Sequence, residues 1–543
     1  MPDQTYDQAY TDAAHLLRRA GFGADPQAIQ AAARAGLSAT TDALLHPERT
    51  PDGLDDDALL ARLAGLLPVP KNGGTPTQAV RMWWVHRMVS SPNPLVEKMT
   101  LFWHGHFTSK DGEGQGDLLF LQNQMFRRNA LGSFRTLALA VSRDPEMLRY
   151  LNGNTNYKAH PNENYARELM EMFTTGIGHY TEDDVKAAAR AFSGWNLRRG
   201  EFQFNAGQHD DDPKTFLGRT GNWNGDDIVD MLVAHPATAQ RLCTQLFTFF
   251  GYPDPEPSVV AALTQTYYAS GYDIRAVLDR LFRSRAFYSD RARFAVIKSP
   301  AQYVVGTVKM LGLDKAIALT LSEITPANDM AATVAAGQAA TSRATAQAVP
   351  APAAVPDVSG DQAMRRAAGR KLGILAGLPL AMRSMGQDLF APPSVKGWDG
   401  GTAWINTSTL MSRVAFANLV SLSRQLFDGE FTQAVGYTRE QNLTPDQWVD
   451  ALAQRLGPLP ITPATRQALL DYVHSPDAPA ATTQTVQDAP DAPPLPFHRG
   501  RRGQTGRYNQ LNGRLAGRGP GGLEGRLRGV IPLLMATPEY QVC

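Results

Sequence analysis

Residues 75–109 read TPTQAVRMWWVHRMVSSPNPLVEKMTLFWHGHFTS, and this stretch decides the fold class. Apolar residues recur at helical spacing on both sides of its Ser-Pro-Asn-Pro turn, which predicts two helices joined as a hairpin. The same pattern continues in both directions, with helical runs over roughly 6–45, 118–195 and 226–313. The sequence therefore predicts a mainly α protein, with residues 1–543 forming one large multi-helical domain.

One segment departs from the helical pattern. In GEFQFNAGQHDDDPKTFLG, which spans residues 200–218, Phe202 and Phe204 alternate with polar residues ahead of the run 214–217. Alternation with period two, bounded by turn residues, is typical of strands. The segment therefore predicts a small β-hairpin.

Two stretches contain few large apolar residues. Residues 326–360 are rich in Ala, Thr, Pro and Gln, and residues 477–522 are Pro/Ala-rich and then Arg/Gly-rich. Such segments cannot bury enough apolar surface to offset the entropy lost on ordering. Both are predicted to be flexible insertions that the folded domain does not need.

Composition excludes several classes of protein. With 43% hydrophobic and 19% charged residues, the chain is typical of a globular protein rather than a disordered one. The 53 Lys and Arg residues balance 52 Asp and Glu, so overall charge gives no reason to expect nucleic acid as a partner. The basic part of 477–522 could contact single-stranded nucleic acid, but it holds only one aromatic residue, Tyr508, and we do not expect such binding.

Three further observations bear on location and chemistry. No run of eighteen apolar residues exists, so no transmembrane segment is predicted. The start of the chain, MPDQTYDQAYTDAAHLL, lacks the features of a secretory signal, which predicts a cytoplasmic protein. Cys243 and Cys543 form neither a disulfide framework nor a metal-ligand spacing.

The densest polar cluster is HPNENYARELMEMFTTGIGHYTEDDV, at residues 160–185. On a helix that begins near its second residue, Asn164, Glu168 and Glu171 are spaced i, i+4 and i+7 and share one face. Two carboxylates on one face can bind a divalent cation, or their pKa values can separate so that one acts as acid and the other as base. This face is a candidate catalytic or metal site.

A neighbouring stripe of the same helix carries Glu163, Arg167 and Met170. The alternative to a functional site is a salt-bridged helix, in which Arg167 pairs with Glu163 or Glu171. Both interpretations fit the spacing, because it places the side chains on a face without showing what they contact.

Two more clusters contain histidine. In WHGHF, at 103–107, His104 and His106 would point about 200 degrees apart on a helix, so only one is expected at a common site unless Gly105 breaks the helix. A histidine buried in the core is the alternative. At 209–212, His209 precedes three aspartates, which predicts either a cation site or a solvated acidic turn.

Taken together, several blocks resemble the bacterial domain of unknown function 1800 family. The blocks are HLLRRAGFG, VEKMTLFWHGHF, SRDPEMLRYLNG, NENYARELMEMFTTGIGHYTEDDVKAAARAFSGW, HDDDPKTFLG, MGQDLFAPPSVKGWDGGTAWINTSTLMSR and RGVIPLLMATPEYQ. They occur in the order of the family and cover the chain outside the two insertions.

The resemblance implies little about activity, since the family is named for the lack of a known function. Its members are often exported, and often encoded beside a companion protein that resembles phosphatases and sulfatases. This chain departs from that pattern by lacking an export signal. Export and a companion partner are therefore alternatives to a cytoplasmic, free-standing protein.

The resemblance does give weight to polar positions. The residues that match the motif blocks are His106, Asn162, Glu163, Asn164, Arg167, Glu168, Glu171, His209, Asp210, Lys214, Gly397, Trp398 and Asn406. A helical scaffold packs with apolar residues, so a motif written largely in polar residues favours a site. A buried polar network that fixes helix packing is the alternative.

We therefore expect one shared pocket, in which the histidines of WHGHF meet the helix of Glu168. The HDDDPK hairpin and the GWDGGTAWIN loop would close it. The leading hypothesis is a hydrolytic enzyme, with Glu168 or Glu163 as acid or base and Arg167 beside them. Any divalent metal would be held by residues of the same pocket, namely His106, Glu168, Glu171, His209 and Asp210. The alternative is a non-catalytic accessory protein that binds a companion.

Overall fold

A computed structural model of the chain describes residues 7–110, 112, 116–314, 373–422, 443–475 and 523–543. Within these ranges the protein is mainly helical, and its strands form two small antiparallel sheets. The predicted fold class is confirmed. Both predicted insertions, 326–360 and 477–522, lie outside the described residues.

The helices of the N-terminal part follow one another with short connections. They are α1 (Gln8–Ala20), α2 (Pro26–Ala35), α3 (Leu37–Leu45), α4 (Asp56–Gly65), α5 (Thr77–Ser90), α6 (Pro94–His106), α7 (Gly116–Arg128), α8 (Phe134–Ser142), α9 (Pro145–Tyr150), α10 (Asn164–Glu168) and α11 (Glu182–Ala191). Short 3-10 turns lie at Pro47–Arg49 and Gly153–Thr155.

The later helices begin after the β region. They are α12 (Gly225–Ala234), α13 (Pro236–Phe250), α14 (Pro257–Ala269), α15 (Ile274–Phe282), α16 (Pro300–Met310), α17 (373–384), α18 (Thr407–Leu422), α19 (Pro445–Arg455), α20 (Pro463–His474), α21 (Leu523–Ala536) and α22 (Pro538–Gln541). Further 3-10 turns lie at Ala206–Gln208 and Gly401–Trp404.

Polar side chains set many of the helix starts by accepting backbone N–H groups that have no partner within the helix. Asp25, Asp55 and Asp273 cap α2, α4 and α15 in this way. At α11, the Thr181 hydroxyl accepts from the Asp184 N–H over 3.2 Å, and the Asp184 carboxylate accepts from the Thr181 N–H over 2.9 Å. This capping box begins the helix that follows the candidate site.

The predicted helical hairpin is formed by α5 and α6, and a buried carboxylate joins it to α7. Glu97 on α6 is fully buried and accepts from Arg87 over 2.9 Å and from Arg127 over 2.7 Å. The indole N–H of Trp84 donates to the same carboxylate over 3.2 Å. Burial raises the pKa of Glu97, but the two guanidinium groups outweigh burial and lower it.

The β region contains two hairpins where the sequence predicted one. Strands β1 (Trp195–Arg198) and β2 (Glu201–Phe204) pair antiparallel, as do β3 (Lys214–Phe216) and β4 (Arg219–Gly221). The turns Arg199–Gly200 and Leu217–Gly218 each place two residues at positive φ. Two-residue hairpin turns of this twist need positive φ at both positions. The sequence analysis did not identify the second of these turns, Leu217–Gly218.

Two large apolar clusters fill most of the interior of the described ranges, a third and smaller one joins α1 to α2, and α6 lies between the two large ones. Leu101 belongs to the cluster around α5, α16 and α21, whereas Trp103 belongs to the cluster around α8, α12 and α13. A helix with apolar contacts on opposite sides is buried nearly all round. The WHGHF segment therefore ends a helix at the junction of the two clusters.

Candidate functional site

The densest polar cluster forms a helix that changes type along its length. After α10, Leu169–Phe173 continues as a π-helix. The hydroxyl of Thr174 donates to the Leu169 carbonyl over 2.6 Å, and that of Thr175 donates to the Met170 carbonyl over 3.2 Å. The Gly176 N–H donates to the same Met170 carbonyl, with Gly176 at a φ of 81°. The segment thus holds a π-helical turn, a feature found frequently at functional sites.

Glu168 is the last α-helical residue of this segment, and its side chain is half-buried. Its carboxylate forms no hydrogen bond or ion pair with any residue in the described ranges. Burial raises the pKa of Glu168, the negative charge of Glu171 raises it further, and Arg167 opposes both. The charge of Glu168 in turn acts on the hydroxyl of Tyr150, whose pKa is raised mainly by burial. Glu168 is therefore a carboxyl group with a raised pKa whose oxygens accept no hydrogen bond from the described residues.

Glu171 lies in the π-helical turn and is held by neighbours. The hydroxyl of Tyr180 donates to its Oε2 over 3.2 Å. Arg241 on α13 donates to the Met172 carbonyl over 3.1 Å, and its charge interacts with that of Glu171. The structure thus brings the two predicted carboxylates near each other, one of them bound and the other unpaired.

His106 packs at the C-terminal end of the same segment. Its Nε2–H donates to the carbonyl of Phe173 over 3.0 Å, and aromatic rings such as Phe107 surround the imidazole. Burial lowers the pKa of His106 to about 4, so the ring is neutral near pH 7. Because its Nε2–H donates to the Phe173 carbonyl, His106 joins the end of α6 to the π-helical turn.

His104 occupies a different environment, since α6 runs through Gly105 without a break. The N–H of Phe390 donates to His104 Nε2 over 3.2 Å, and the ring packs against Trp84 and Trp398. Burial lowers the pKa of His104 to about 3. His104 is therefore a buried core histidine, the alternative that the sequence left open.

The HDDDPK turn is tied to the end of α11. His209 is 6% exposed, and its Nδ1–H donates to the Ser193 carbonyl over 2.9 Å. Asp210 pairs with Arg190 over 2.6 Å, and this pair lowers the pKa of Asp210. Lys214 is 1% exposed, and its ammonium group donates to the carbonyls of the first and third aspartates. These contacts fold the turn onto the protein, while Asp211 and Asp212 remain exposed, as in the solvated acidic turn that the sequence left as an alternative.

The contacts of His106 and His209 lie at different ends of the helical segment that carries Glu168. His106 contacts the C-terminal end of the helical segment, whereas His209 lies beside Gly194, which donates to Asn156 in the loop ahead of α10. Ten helical residues separate these ends by roughly 15 Å.

No group of three or more His, Cys, Asp or Glu side chains with metal-binding geometry occurs in the described part of the chain. Three of the five predicted ligands already bind protein groups. His106 and His209 each donate a ring N–H to a backbone carbonyl, and the Asp210 carboxylate pairs with Arg190.

The other two residues predicted to be catalytic form an ion-pair network. Arg167 donates to Glu163 over 2.9 Å and to Glu182 over 2.7 Å. The pairing with Glu163 is the i, i+4 contact that the sequence offered as an alternative, and Glu182 adds a second partner. Both Glu163 and Arg167 thus differ from Glu168, whose carboxylate has no such partner.

The GWDGG loop packs against WHGHF. Gly397 has a φ of 85°, and a Cβ atom there would lie 2.7 Å from the Gly105 carbonyl oxygen. The hydroxyl of Thr108 donates to the Val395 carbonyl. Asn406 accepts from the Thr409 N–H over 2.9 Å and so caps α18. Gly397 therefore lets the loop lie close to WHGHF, and Asn406 caps a helix.

A family model described as "Protein of unknown function (DUF1800)" matches residues 15–542, nearly the whole chain. The chain belongs to the DUF1800 family. No curated protein and no solved structure matches it. The resemblance drawn from the motif blocks is confirmed.

Three residues of this DUF1800 protein complete the surroundings of Glu168 and Glu171 without having been singled out from sequence: Tyr150, Tyr180 and Arg241. They come from α9, from the loop after the π-helix and from α13. No spacing rule links them to the carboxylates, because helix packing sets these contacts.

Two grooves of about 320 and 310 Å³ adjoin each other beside α4 and the start of α7. Thr75 and Asp117 line both, and no predicted site residue lines either. Among the helices that the structure describes, none combines the length and apolarity needed to cross a bilayer.

Proposed function

We propose that this DUF1800 protein is a hydrolytic enzyme in which Glu168 transfers protons to and from the substrate. The observation that carries the proposal is the state of the Glu168 carboxyl. It is half-buried, has a raised pKa, and has no hydrogen-bond or ion-pair partner among the described residues. Carboxyls of this kind serve as general acids and bases.

Glu171 supports a division of roles between the two carboxylates. The hydroxyl of Tyr180 donates to the Glu171 carboxylate over 3.2 Å, whereas Glu168 has no such partner among the described residues. The negative charge of Glu171 then favours the protonated form of Glu168. Two neighbouring carboxyl groups in different environments can act as a proton donor and a charged partner.

Glu163 and Arg167 would position the helix that carries Glu168. Their ion pair, extended to Glu182, fixes the N-terminal half of the segment, while His106 fixes its C-terminal end. We assign no proton transfer to Glu163, because its carboxylate is already paired. No step of the proposal runs through a metal ion.

The test compares wild-type protein with Glu168→Gln and with the matched control Glu163→Gln. Each would be assayed against nitrophenyl esters, phosphates and glycosides. We expect wild type to hydrolyse one class and Glu168→Gln to lose about 10²- to 10⁴-fold in kcat, the usual contribution of general acid–base catalysis. Glu163→Gln should keep most of the activity.

Equal hydrolysis by wild type and Glu168→Gln, or none by wild type, would reject the proposal. Equal hydrolysis would show that Glu168 takes no part in the reaction, whereas no hydrolysis by wild type would favour the accessory protein over the enzyme. Circular dichroism of both variants shows whether a loss of activity reflects a loss of fold.

A further inference from the structure

The two grooves beside α4 and the start of α7 form one continuous depression on the surface. Helices α4 and α7 both pack on α5, and a space remains between them. The two parts of this space, of about 320 and 310 Å³, share Thr75 and Asp117 on their walls. Volumes of this order are typical of sites that bind a ligand. We call this depression the α4–α7 groove.

The floor of the α4–α7 groove is apolar and belongs to the core. Leu60 and Phe120 line it, are 7% and 5% exposed, and are part of the apolar cluster around α5. The Phe120 ring packs edge-on against Trp83, with the ring centroids 4.6 Å apart. Core packing therefore fixes the surface on which a bound group would lie.

The rim of the groove exposes apolar side chains. Leu121 lines the first part and is 49% exposed, and Val69 lines the second part and is 73% exposed. Between them lie Ala61 and Ala64 on the same face of α4. Single exposed apolar side chains are common, but several together along a groove mark a binding surface.

The charge of the groove is negative. Its charged lining residues are Asp57 and Asp117, and no Lys or Arg of the described chain lines it. Asp57 is exposed and forms no ion pair with a described residue, whereas its neighbour Asp56 pairs with Arg87. The N–H of Thr75 donates to Asp117 Oδ2 over 3.0 Å and its hydroxyl donates to Oδ1. These bonds hold the Asp117 carboxylate in place and leave its charge without a cation.

Apolar floor and acidic walls together match a basic peptide. The alkyl stem of a Lys or Arg can lie on apolar surface while its charged end reaches a carboxylate. The groove follows α4 from Asp57 to Gly65, a length of about 12 Å. An extended chain rises about 3.3 Å per residue, so about four residues would span it.

We propose that the α4–α7 groove binds a basic peptide segment of a partner protein. An apolar side chain of the peptide packs on Phe120 beside Leu121, and Lys or Arg residues of the peptide pair with Asp57 and Asp117. This binding surface is separate from the Glu168 site, because no residue assigned to that site lines the groove.

The experiment titrates a fluorescein-labelled peptide, Lys-Leu-Ala-Phe-Leu-Lys, with the full folded chain and follows binding by fluorescence anisotropy. One control peptide has Glu in place of both Lys, and the other has Ser in place of Leu and Phe. We expect the basic apolar peptide to bind at least about tenfold more tightly than either control, since charge and apolar burial both contribute. Added salt should weaken the binding, because the aspartates are exposed.

Asp57→Lys and Leu121→Glu locate the binding to the groove. Their matched controls are Asp290→Lys, at an exposed aspartate outside the groove, and Leu419→Glu on α18, where Leu419 is 48% exposed. We expect each groove variant to bind the basic peptide at least about tenfold more weakly, and both controls to bind it as wild type does. Asp57→Lys should also bind the Glu peptide more tightly than wild type does.

No binding of the basic peptide by folded wild type overturns the proposal, as does an equal loss in groove and control variants. Equal binding of the basic peptide and the Glu peptide overturns it too. If sedimentation shows a wild-type dimer that Leu121→Glu dissociates, the groove binds a second copy of this chain and the partner peptide is wrong. Circular dichroism of each variant shows that a loss of binding does not reflect a loss of fold.

Discussion

The Nε2–H of His106 donates to the carbonyl of Phe173 over 3.0 Å, joining the end of α6 to the π-helical turn that follows Glu168. The two residues are 67 positions apart in the chain. The contact explains why a histidine ends the WHGHF helix: a neutral imidazole supplies one donor to a carbonyl that the π-helical turn leaves free. His106 therefore positions the segment that carries the candidate acid.

The first prediction concerns the pH dependence that His106 gives to folding. Burial lowers its pKa from 6.5 to about 4. The unfolded chain thus binds more protons between these values, and the stabilisation present above pH 6.5 is lost as pH falls toward 4. Between pH 7 and pH 4.5, the free energy of unfolding should fall by about 2 kcal/mol less in His106→Gln than in wild type, as measured by urea unfolding. An unchanged pH dependence would contradict the assignment.

Asp144 provides a second prediction of opposite sign. It is 6% exposed and accepts from Gln122 over 2.7 Å and from the Met147 N–H over 2.9 Å. Burial outweighs these bonds and raises its pKa to about 7. Its stabilising effect is complete below pH 4 and is lost as pH rises through 7.

Asp144→Asn should therefore gain stability relative to wild type between pH 5 and pH 8. The amide keeps an acceptor for the helix cap but carries no charge to desolvate. Denaturant unfolding at the two pH values gives the comparison. If the free energies of unfolding of the variant and wild type differ by the same amount at both pH values, the Asp144 carboxyl does not change its charge in this range.

The third prediction concerns the buried carboxylate at the centre of the α5–α6 hairpin. Glu97→Gln keeps the size of the side chain but leaves the guanidinium groups of Arg87 and Arg127 without their shared carboxylate. Breaking one side of a buried ion pair costs about 3–5 kcal/mol, which should appear as a large drop in Tm. In contrast, Glu182→Gln, at an exposed ion pair, should change Tm little.

Gly397 gives a fourth prediction that separates steric clash from backbone strain. Gly397→Ala adds a Cβ 2.7 Å from the Gly105 carbonyl oxygen, in addition to the strain of a φ of 85°. Gly400→Ala, at a φ of 71°, meets no backbone atom closer than ordinary contact. We expect Gly397→Ala to lose about 2 kcal/mol more than Gly400→Ala in denaturant unfolding. Equal losses would show that the loop moves away from WHGHF.

The fifth prediction concerns Glu168 and fold stability. Glu168→Gln removes a half-buried charge near Glu171, whose repulsion raises the pKa of Glu168. The variant should therefore match or exceed the Tm of wild type at pH 7, as is common when a functional group is removed. A clear drop in Tm would mean that the carboxylate holds the fold together, and would point to a structural role.

The sequence could predict the helices because their signals are local. Apolar spacing and turn residues placed α5 and α6, and the Thr181–Asp184 capping box lies within four positions. The pairing of Arg167 with Glu163 is equally local, since i, i+4 residues meet on any helix. The second β-hairpin was missed although its turn is local, because Leu217 at positive φ is an unusual turn residue.

The candidate site could be predicted only as a set of residue types on one helix. Spacing placed Glu168 and Glu171 together, but it could not show that Tyr180 would bind one and leave the other unpaired. Nor could it show that the histidines at 106 and 209 would lie at opposite ends of that helix. A hydrogen-bond partner depends on which elements pack together, and sequence spacing does not fix that packing.

By itself, the sequence determined the mainly helical architecture, the helix starts and the family. Only the tertiary structure decided which polar groups are desolvated and which are paired. Arg19 and Cys543 are 524 positions apart yet share a hydrogen bond, and Glu97 is buried whereas Glu182 is exposed. Periodicity arises from bonds within one segment, whereas charge state and reactivity arise from the dielectric and the neighbours that packing of distant segments creates.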